Sequence, residues 1–364
     1  APFTREMRIA AGLVAWAIVT LPLSYWPGGS VDFLLGIYLK ALVIFWLLGS
    51  VVNTLAQLRT AAWVLSLLTV PLALSGVWSF FSGGFLQEEL SRGLDRIRGY
   101  DAPLTANPND LALMLNLIVP LTMALFVDSR KVWSKCLLGA IVCLDVVAII
   151  ATYSRAGFLT LAVVCFIYLL YMLKNRRGTA VMFAGLVLVS VPLLPASYLN
   201  RLETITDIQA DHTGSSRARY NDSLAAVGYI ANHPVIGAGI GQDIQALNEV
   251  RGRTWTKVHD AYLEYAVDLG LPGLALFLWL LASTLRSAAE ARQMTQRIPK
   301  LAGLHRLAEG LSVSLVGFAV AAFFYPDGYE FYFYYIAGLA VAARQIAAAA
   351  VPSAIQPFSS MGTR

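Results

Sequence analysis

Long apolar runs alternate with short polar connections along this chain. Runs near or above the roughly 20 residues that a bilayer core demands recur at 8–26, 31–52, 60–82, 109–127, 132–153, 156–173, 179–197, 261–285, 307–325 and 329–349. The pattern predicts an all-α fold, a polytopic membrane bundle of ten spanning helices. One stretch breaks the rhythm. From Arg201 to Tyr262 the chain is polar, which divides it into N-terminal spans (1–197), a long loop (198–260) and C-terminal spans (261–364). Within the loop, Tyr220 to Ile230 is amphipathic and predicts a helix lying on the membrane face.

Composition agrees with a membrane chain and excludes an ordinary soluble domain. Hydrophobic residues make up 57% and charged residues 13%, where soluble domains carry about a quarter charged residues. The net charge of +5 needs no nucleic-acid partner, because cytoplasmic connections of membrane proteins are enriched in Lys and Arg. Cys136, Cys143 and Cys165 fall at or within apolar runs without metal-like spacing and read as packing residues. The first residue is Ala, so one or two further spans upstream are expected.

Charge orients the spans. Alternate connections holding Arg59, Arg130/Lys131/Lys135, Lys174/Arg176/Arg177 and Arg286 to Arg306 fall on one side, with Arg5, Arg8, Arg344 and Arg364. That side is expected in the cytoplasm, and the long loop then faces outward. Basic residues that defy this rule need another reason. They stand in the 83–108 connection (Arg92, Arg96, Arg98), in a tight turn (Arg155) and in the loop (Arg201, Arg217, Arg219, Arg251, Arg253, Lys257). Glu203, Asp207, Asp211, Asp222, Asp243 and Glu249 nearly balance the loop cations, so the loop is not a simple basic patch. Arginines converging from three outer connections suit a compact anion, since a guanidinium offers a phosphate two parallel hydrogen bonds. Lys40, Asp145, Glu264 and Asp268 are the charges read inside spans, and intramembrane charges are functional candidates by default. Lys40 and Asp145 can also serve by pairing with each other.

Four short segments carry the candidate chemistry. Thr152-Tyr-Ser-Arg-Ala-Gly157 wedges Arg155 between two spans. Gly214-Ser-Ser-Arg-Ala-Arg-Tyr220 sets Arg217 and Arg219 near a helix start, where free backbone amides favour anions. Asn232-His-Pro-Val-Ile-Gly-Ala-Gly-Ile-Gly241 reads as a tight, glycine-permitted turn in which His233 is a structural hydrogen bonder. His259-Asp-Ala-Tyr-Leu-Glu264 places an imidazole where the loop re-enters the membrane. A neutral imidazole can take a proton from a hydroxyl. Asp260, Glu264 and Asp268 follow at helical spacing on one face, available to orient the arginines or to hold His259.

Together with the Asn107-Pro-Asn109 lead into a span, these segments resemble the O-antigen ligase family and its relatives, the O-antigen polymerases and bacterial O-oligosaccharyltransferases. The resemblance covers about half of the chain, 98 to 275. Many relatives have Asn after the histidine, where this chain has Asp260. The resemblance implies an inverting glycosyl transfer on the periplasmic face of the inner membrane, without metal or other cofactor. It implies a glycan donor on undecaprenyl pyrophosphate, a lipid A–core acceptor and contact with membrane lipids. His259 would activate the acceptor hydroxyl, while Arg155, Arg217, Arg219 and Arg98 would hold the pyrophosphate. A polymerase or a protein O-oligosaccharyltransferase would share the donor. A lipid-linked glycan transporter would instead need charge along a central passage.

Overall fold

The computed structural model describes residues 3–84, Ile97, 107–175, 214–252 and 254–355. Among the described residues the regular elements are helices, and eight are long and apolar enough to cross a membrane. The chain is an all-α, multi-pass membrane bundle. In order the helices are α1 (Arg5–Thr20), α2 (Pro27–Val51), α3 (Leu55–Ser82), α4 (Pro108–Asp128), α5 (Val132–Ala151) and α6 (Arg155–Asn175). Two loop helices follow, α7 (Ser215–Asn232) and α8 (Asp243–Arg251). The last three are α9 (Ala261–Thr295), α10 (Ala302–Ala321) and α11 (Phe331–Ile355). The expected span 179–197 lies outside the described residues.

Element ends follow local chemistry more than apolar length. Helix α1 starts earlier than its apolar run because Thr4 Oγ1 accepts from the Met7 amide at 3.3 Å. Glu6 in its first turn is buried, taking Arg344 Nη2 at 3.2 Å and the Ser287 hydroxyl at 2.9 Å. Helix α9 runs ten residues beyond its expected span, carrying Arg286, Glu290 and Arg292 on its extension. Helix α2 is continuous through a π-helical turn at Leu34–Tyr38.

Helices from both sides of the long loop pack together. Helix α10 lies on α4, and α9 lies on α1, α10 and α11. Helix α11 lies on α2. Small residues allow the closest approaches, as is common where lipid supplies no hydrophobic drive between helices. A Cβ on Gly310 would stand 2.7 Å from the Pro120 carbonyl of α4, and one on Gly338 would stand 2.8 Å from the Phe45 carbonyl of α2. Between α2, α9 and α11 sit the buried rings of Tyr38, Tyr265 and Tyr334. Tyr265 Oη lies 2.9 Å from Tyr334 Oη and donates to the Gly328 carbonyl at 3.0 Å.

Two sequence expectations change here. Cys136 and Cys143 face outward from α5 and only Cys165 is partly packed. Lys40 is exposed on α2, and buried Asp145 accepts from Thr69 Oγ1 at 3.1 Å in place of a lysine. A short hydroxyl supplies a donor in lipid without moving a charge there.

Candidate functional site

The site is built on the break in α9. Gly270 has φ 68° and ψ −176°, a conformation open to glycine, and it interrupts the helix just before Pro272. The break frees backbone groups, and the 233–242 turn takes them up. The amides of Ala238 and Gly239 donate to the Val267 and Asp268 carbonyls at 2.7 and 2.8 Å. The Leu271 amide donates to the Pro234 carbonyl at 2.8 Å. Asp268, buried on α9, accepts from the Gly241 and Gln242 amides at 2.7 and 3.1 Å. A Cβ on Gly270 would sit 2.2 Å from the Val235 carbonyl, and one on Gly237 would sit 2.5 Å from the Val267 carbonyl. These glycines are spacers for backbone-on-backbone docking. His233 stacks on Tyr229 with ring centroids 4.3 Å apart and closes the end of α7, the structural role read from the sequence.

The docked turn holds the two loop helices. Ala225, Ala226 and Tyr229 of α7 pack against Ala246 and Leu247 of α8 and Val267 of α9. Arg251 of α8 pairs with Asp222 of α7, both largely buried. The Val258 amide donates to buried Asp243 at 3.0 Å, which draws the return strand over α8. The opposite face of α7 exposes Tyr220, Leu224 and Val227, spaced i, i+4, i+7. Helix α7 is therefore gripped by protein on one apolar face and leaves another outward.

Lys257, His259 and Asp260 then lead into α9. Asp260 caps it, accepting from the Tyr262 and Leu263 amides at 2.8 and 3.0 Å. That is its observed role, and it leaves His259 to other neighbours. Lys257 approaches Glu264 at 3.8 Å. Burial lowers the Lys257 pKa, but Glu264 and Asp243 outweigh it and raise the value above that of an ordinary lysine. Glu264 also accepts from the Gly328 amide at 3.0 Å. The face of Asp260, Glu264 and Asp268 is thus spent on a cap, a lysine and a turn.

Beside His259 lies a cavity of about 260 Å³, lined by Arg155, Ser216, Arg219, Tyr220, Phe323 and Phe324 among others. Arg155 opens α6, and its Nη1 donates to Ser216 Oγ at 2.7 Å. Arg219 Nη1 reaches the Phe324 carbonyl at 3.5 Å. Among the described residues His259 Nδ1 is buried without a hydrogen-bond partner. Burial pushes the imidazole pKa down, and the Arg219 guanidinium pushes it further, to about 4. The imidazole is neutral at pH 7 and can accept a proton.

The structure therefore brings Arg155, Arg219 and His259 to one cavity from three separate segments. It does not bring Arg217, which is exposed on α7 and absent from the lining. Arg98 lies outside the described residues. Ser216, Phe323 and Phe324 were given no role from the sequence. Ser216 lies in the arginine segment and could have been noticed, but the two phenylalanines carry no signal apart from the fold. Behind the cavity, Ser154 Oγ donates to Asn109 Oδ1 at 2.9 Å and accepts from the Gly157 amide at 3.1 Å. This ties the Asn-Pro-Asn lead to the turn that presents Arg155. Among the described residues no group of three or more His, Cys, Asp or Glu is placed to hold a metal ion.

The arrangement offers one neutral base and two fixed cations around a space open to a ligand. It suits a reaction in which a hydroxyl loses a proton while negative charge develops nearby. A comparison with family models matches residues 138–278 to the model described as O-Antigen ligase (Wzy_C). That segment contains Arg155, Arg219 and His259. Comparison with curated proteins gave no match.

Proposed function

We propose that this chain, a member of the O-antigen ligase family through residues 138–278, transfers a glycan from undecaprenyl pyrophosphate to lipid A–core on the periplasmic face of the inner membrane. The observation that carries this reading is the single cavity shared by His259, Arg155 and Arg219. The acceptor hydroxyl gives its proton to His259 as its oxygen bonds to the anomeric carbon. The bond from that carbon to the pyrophosphate oxygen breaks, and the lipid pyrophosphate leaves with the electron pair. One displacement of this kind inverts the anomeric centre. Arg155 and Arg219 meet the charge that develops on the leaving group, and fixed donors of this sort cost no reorganisation during reaction. Two guanidinium groups suffice for that task, so the transfer is proposed to be metal-independent. Arg217 is assigned a lesser, peripheral contact with the donor, in keeping with its exposure.

Donor binding has a second effect. Burial, and after it the Arg219 guanidinium, hold the His259 pKa near 4. A pyrophosphate seated on Arg219 offsets that field, so the imidazole becomes a better base once the donor is in place. The base is thereby matched to the occupied site.

The test supplies purified protein with lipid-linked glycan and one of three acceptors: lipid A–core, a second lipid-linked glycan, or a pilin-like peptide. Transfer to lipid A–core, retained with chelator, is the expected outcome. Transfer only to the second glycan would assign a polymerase, and transfer only to peptide would assign a protein O-oligosaccharyltransferase. Movement of the donor across the bilayer without any transfer would overturn the enzyme reading.

A further inference from the structure

A second, larger cavity lies at the other end of α5. Its volume is about 860 Å³, and its lining draws on the start of α3, the α4–α5 turn and the turn that leads into α10. Five cationic side chains converge there, Arg59, Arg130, Lys131, Lys300 and Arg306, with Asp128 the one carboxylate in the lining. Asp128 takes Arg59 Nη2 at 2.6 Å and Arg306 Nη1 at 3.0 Å. That arrangement fixes two guanidinium groups side by side, and each retains further N–H donors beyond its bond to Asp128. Gly303 makes the pairing possible, since a Cβ there would lie 2.6 Å from Arg59 Nη2.

The backbone adds to the same field. Helix α5 begins at Val132 with no side-chain cap from Lys131, and its first ladder bond is Lys135 N–H to the Lys131 carbonyl. The amides of Val132, Trp133 and Ser134 precede that ladder, and these residues border or line the cavity. Helix α10 also begins without a side-chain cap. Charge bias toward one side of a membrane explains the sign of these residues. It does not explain their convergence from three connections on one concavity.

We propose that this cavity is a binding site for phosphate-bearing anions, occupied in the membrane by the headgroup of an anionic phospholipid. Trp63 and Trp133 in the lining favour the lipid source. Tryptophan concentrates at headgroup depth, and Trp133 is 62% exposed on α5. The site is separate from the transfer chemistry, because α5 carries the cavity at its first residues and delivers the Arg155 turn at its last. Its 20 residues set the two about 30 Å apart.

Native mass spectrometry of the full chain in detergent tests the proposal, with phosphatidylglycerol or phosphatidylcholine added at matched concentrations. Wild-type protein should retain phosphatidylglycerol in preference. The Arg130→Gln/Lys131→Gln variant should lose that preference by about fivefold for each cation removed. Lys300→Gln provides a second, single-charge variant if the first does not fold. Inorganic phosphate and pyrophosphate form another arm. Their displacing the lipid supports the shared phosphate chemistry, and their binding without any lipid preference would transfer the site to a soluble anion. Equal retention of both lipids by wild type with no effect of either phosphate would overturn the proposal. So would an undiminished preference in folded variants.

Discussion

The two ends of α5 treat positive charge in opposite ways. At its first residues Arg59 and Arg306 close on the carboxylate of Asp128. At its last, Arg155 and Arg219 line a cavity together with the imidazole of His259. A carboxylate among arginines offsets their charge. An imidazole among arginines gives up its proton, and His259 does so with its pKa near 4. The two ends therefore differ in the group that meets the arginines, a carboxylate at one and an imidazole at the other. A neutral base beside two guanidinium groups is what a leaving anion and an arriving hydroxyl require together. A carboxylate in the place of His259 would have bound the arginines itself.

The largest expected break of this contrast is His259→Ala. Loss of general-base catalysis typically costs about 10²–10⁴-fold, and turnover should fall by that much while donor binding changes little. Wild-type turnover in a folded variant that binds donor would remove the base from the mechanism.

Arg155→Ala and Arg219→Ala come next. Each removes charge-assisted hydrogen bonds worth on the order of 1.5–3 kcal/mol, equivalent to roughly a tenfold to hundredfold loss in kcat/KM. Lysine should restore little, because it keeps the charge and loses the planar fork. Arg217→Ala should lose less than either. Steady-state kinetics of the three variants side by side would expose an error if Arg217 proved the most sensitive.

A smaller effect sharpens the electrostatic half of the contrast. With the His259 pKa pushed down, the imidazole stays neutral and active until pH falls through about 4. The acid limb of kcat/KM, which reports the free enzyme, should therefore lie near 4 and not near 6.5. Arg219→Gln removes a cation that disfavours the protonated ring, so the limb should move to higher pH. The limb of kcat, reporting the donor-bound enzyme, should also lie above that of kcat/KM. Coincident limbs in all three measurements would show that neither Arg219 nor the donor acts on the imidazole.

The smallest change belongs to the other end. Asp128→Asn weakens two pairs whose arginines are 42% and 35% exposed, and exposed ion pairs contribute about 0–1 kcal/mol. Thermal stability should shift slightly and transfer should be unaffected. A large loss of transfer would mean that the two ends are not independent.

Much of the frame was legible because lipid imposes a simple rule: apolar length writes the helix directly into the sequence. The Arg155 turn and His259 stood out for the related reason that a charge beside an apolar run has few places to go. Where the sequence reading paired two arginines, helical phase divides them. Arg217 and Arg219 look like a pair along the chain, yet residues two apart on a helix point to different faces. Only Arg219 lines the cavity, and Arg217 is exposed. Asp260, Glu264 and Asp268 did share a helical face, but which partner each would find depended on segments that arrive from elsewhere. Phe323 and Phe324 enter the cavity only because α10 packs against α4 and α6.

The break at Gly270 also governs which parts of the molecule open together. The amides of Ala238, Gly239, Gly241, Gln242 and Leu271 all bond across the turn and α9. None of these protons can meet solvent deuterium through fraying of the turn alone, because each bond ends on the helix at its interruption. Slow, concerted exchange of the five is the consequence, with an opening event that includes the head of α9. His259 stands only two residues before that helix. Its position is therefore as durable as the opening unit to which it is attached, although it sits at the end of the longest polar segment in the chain.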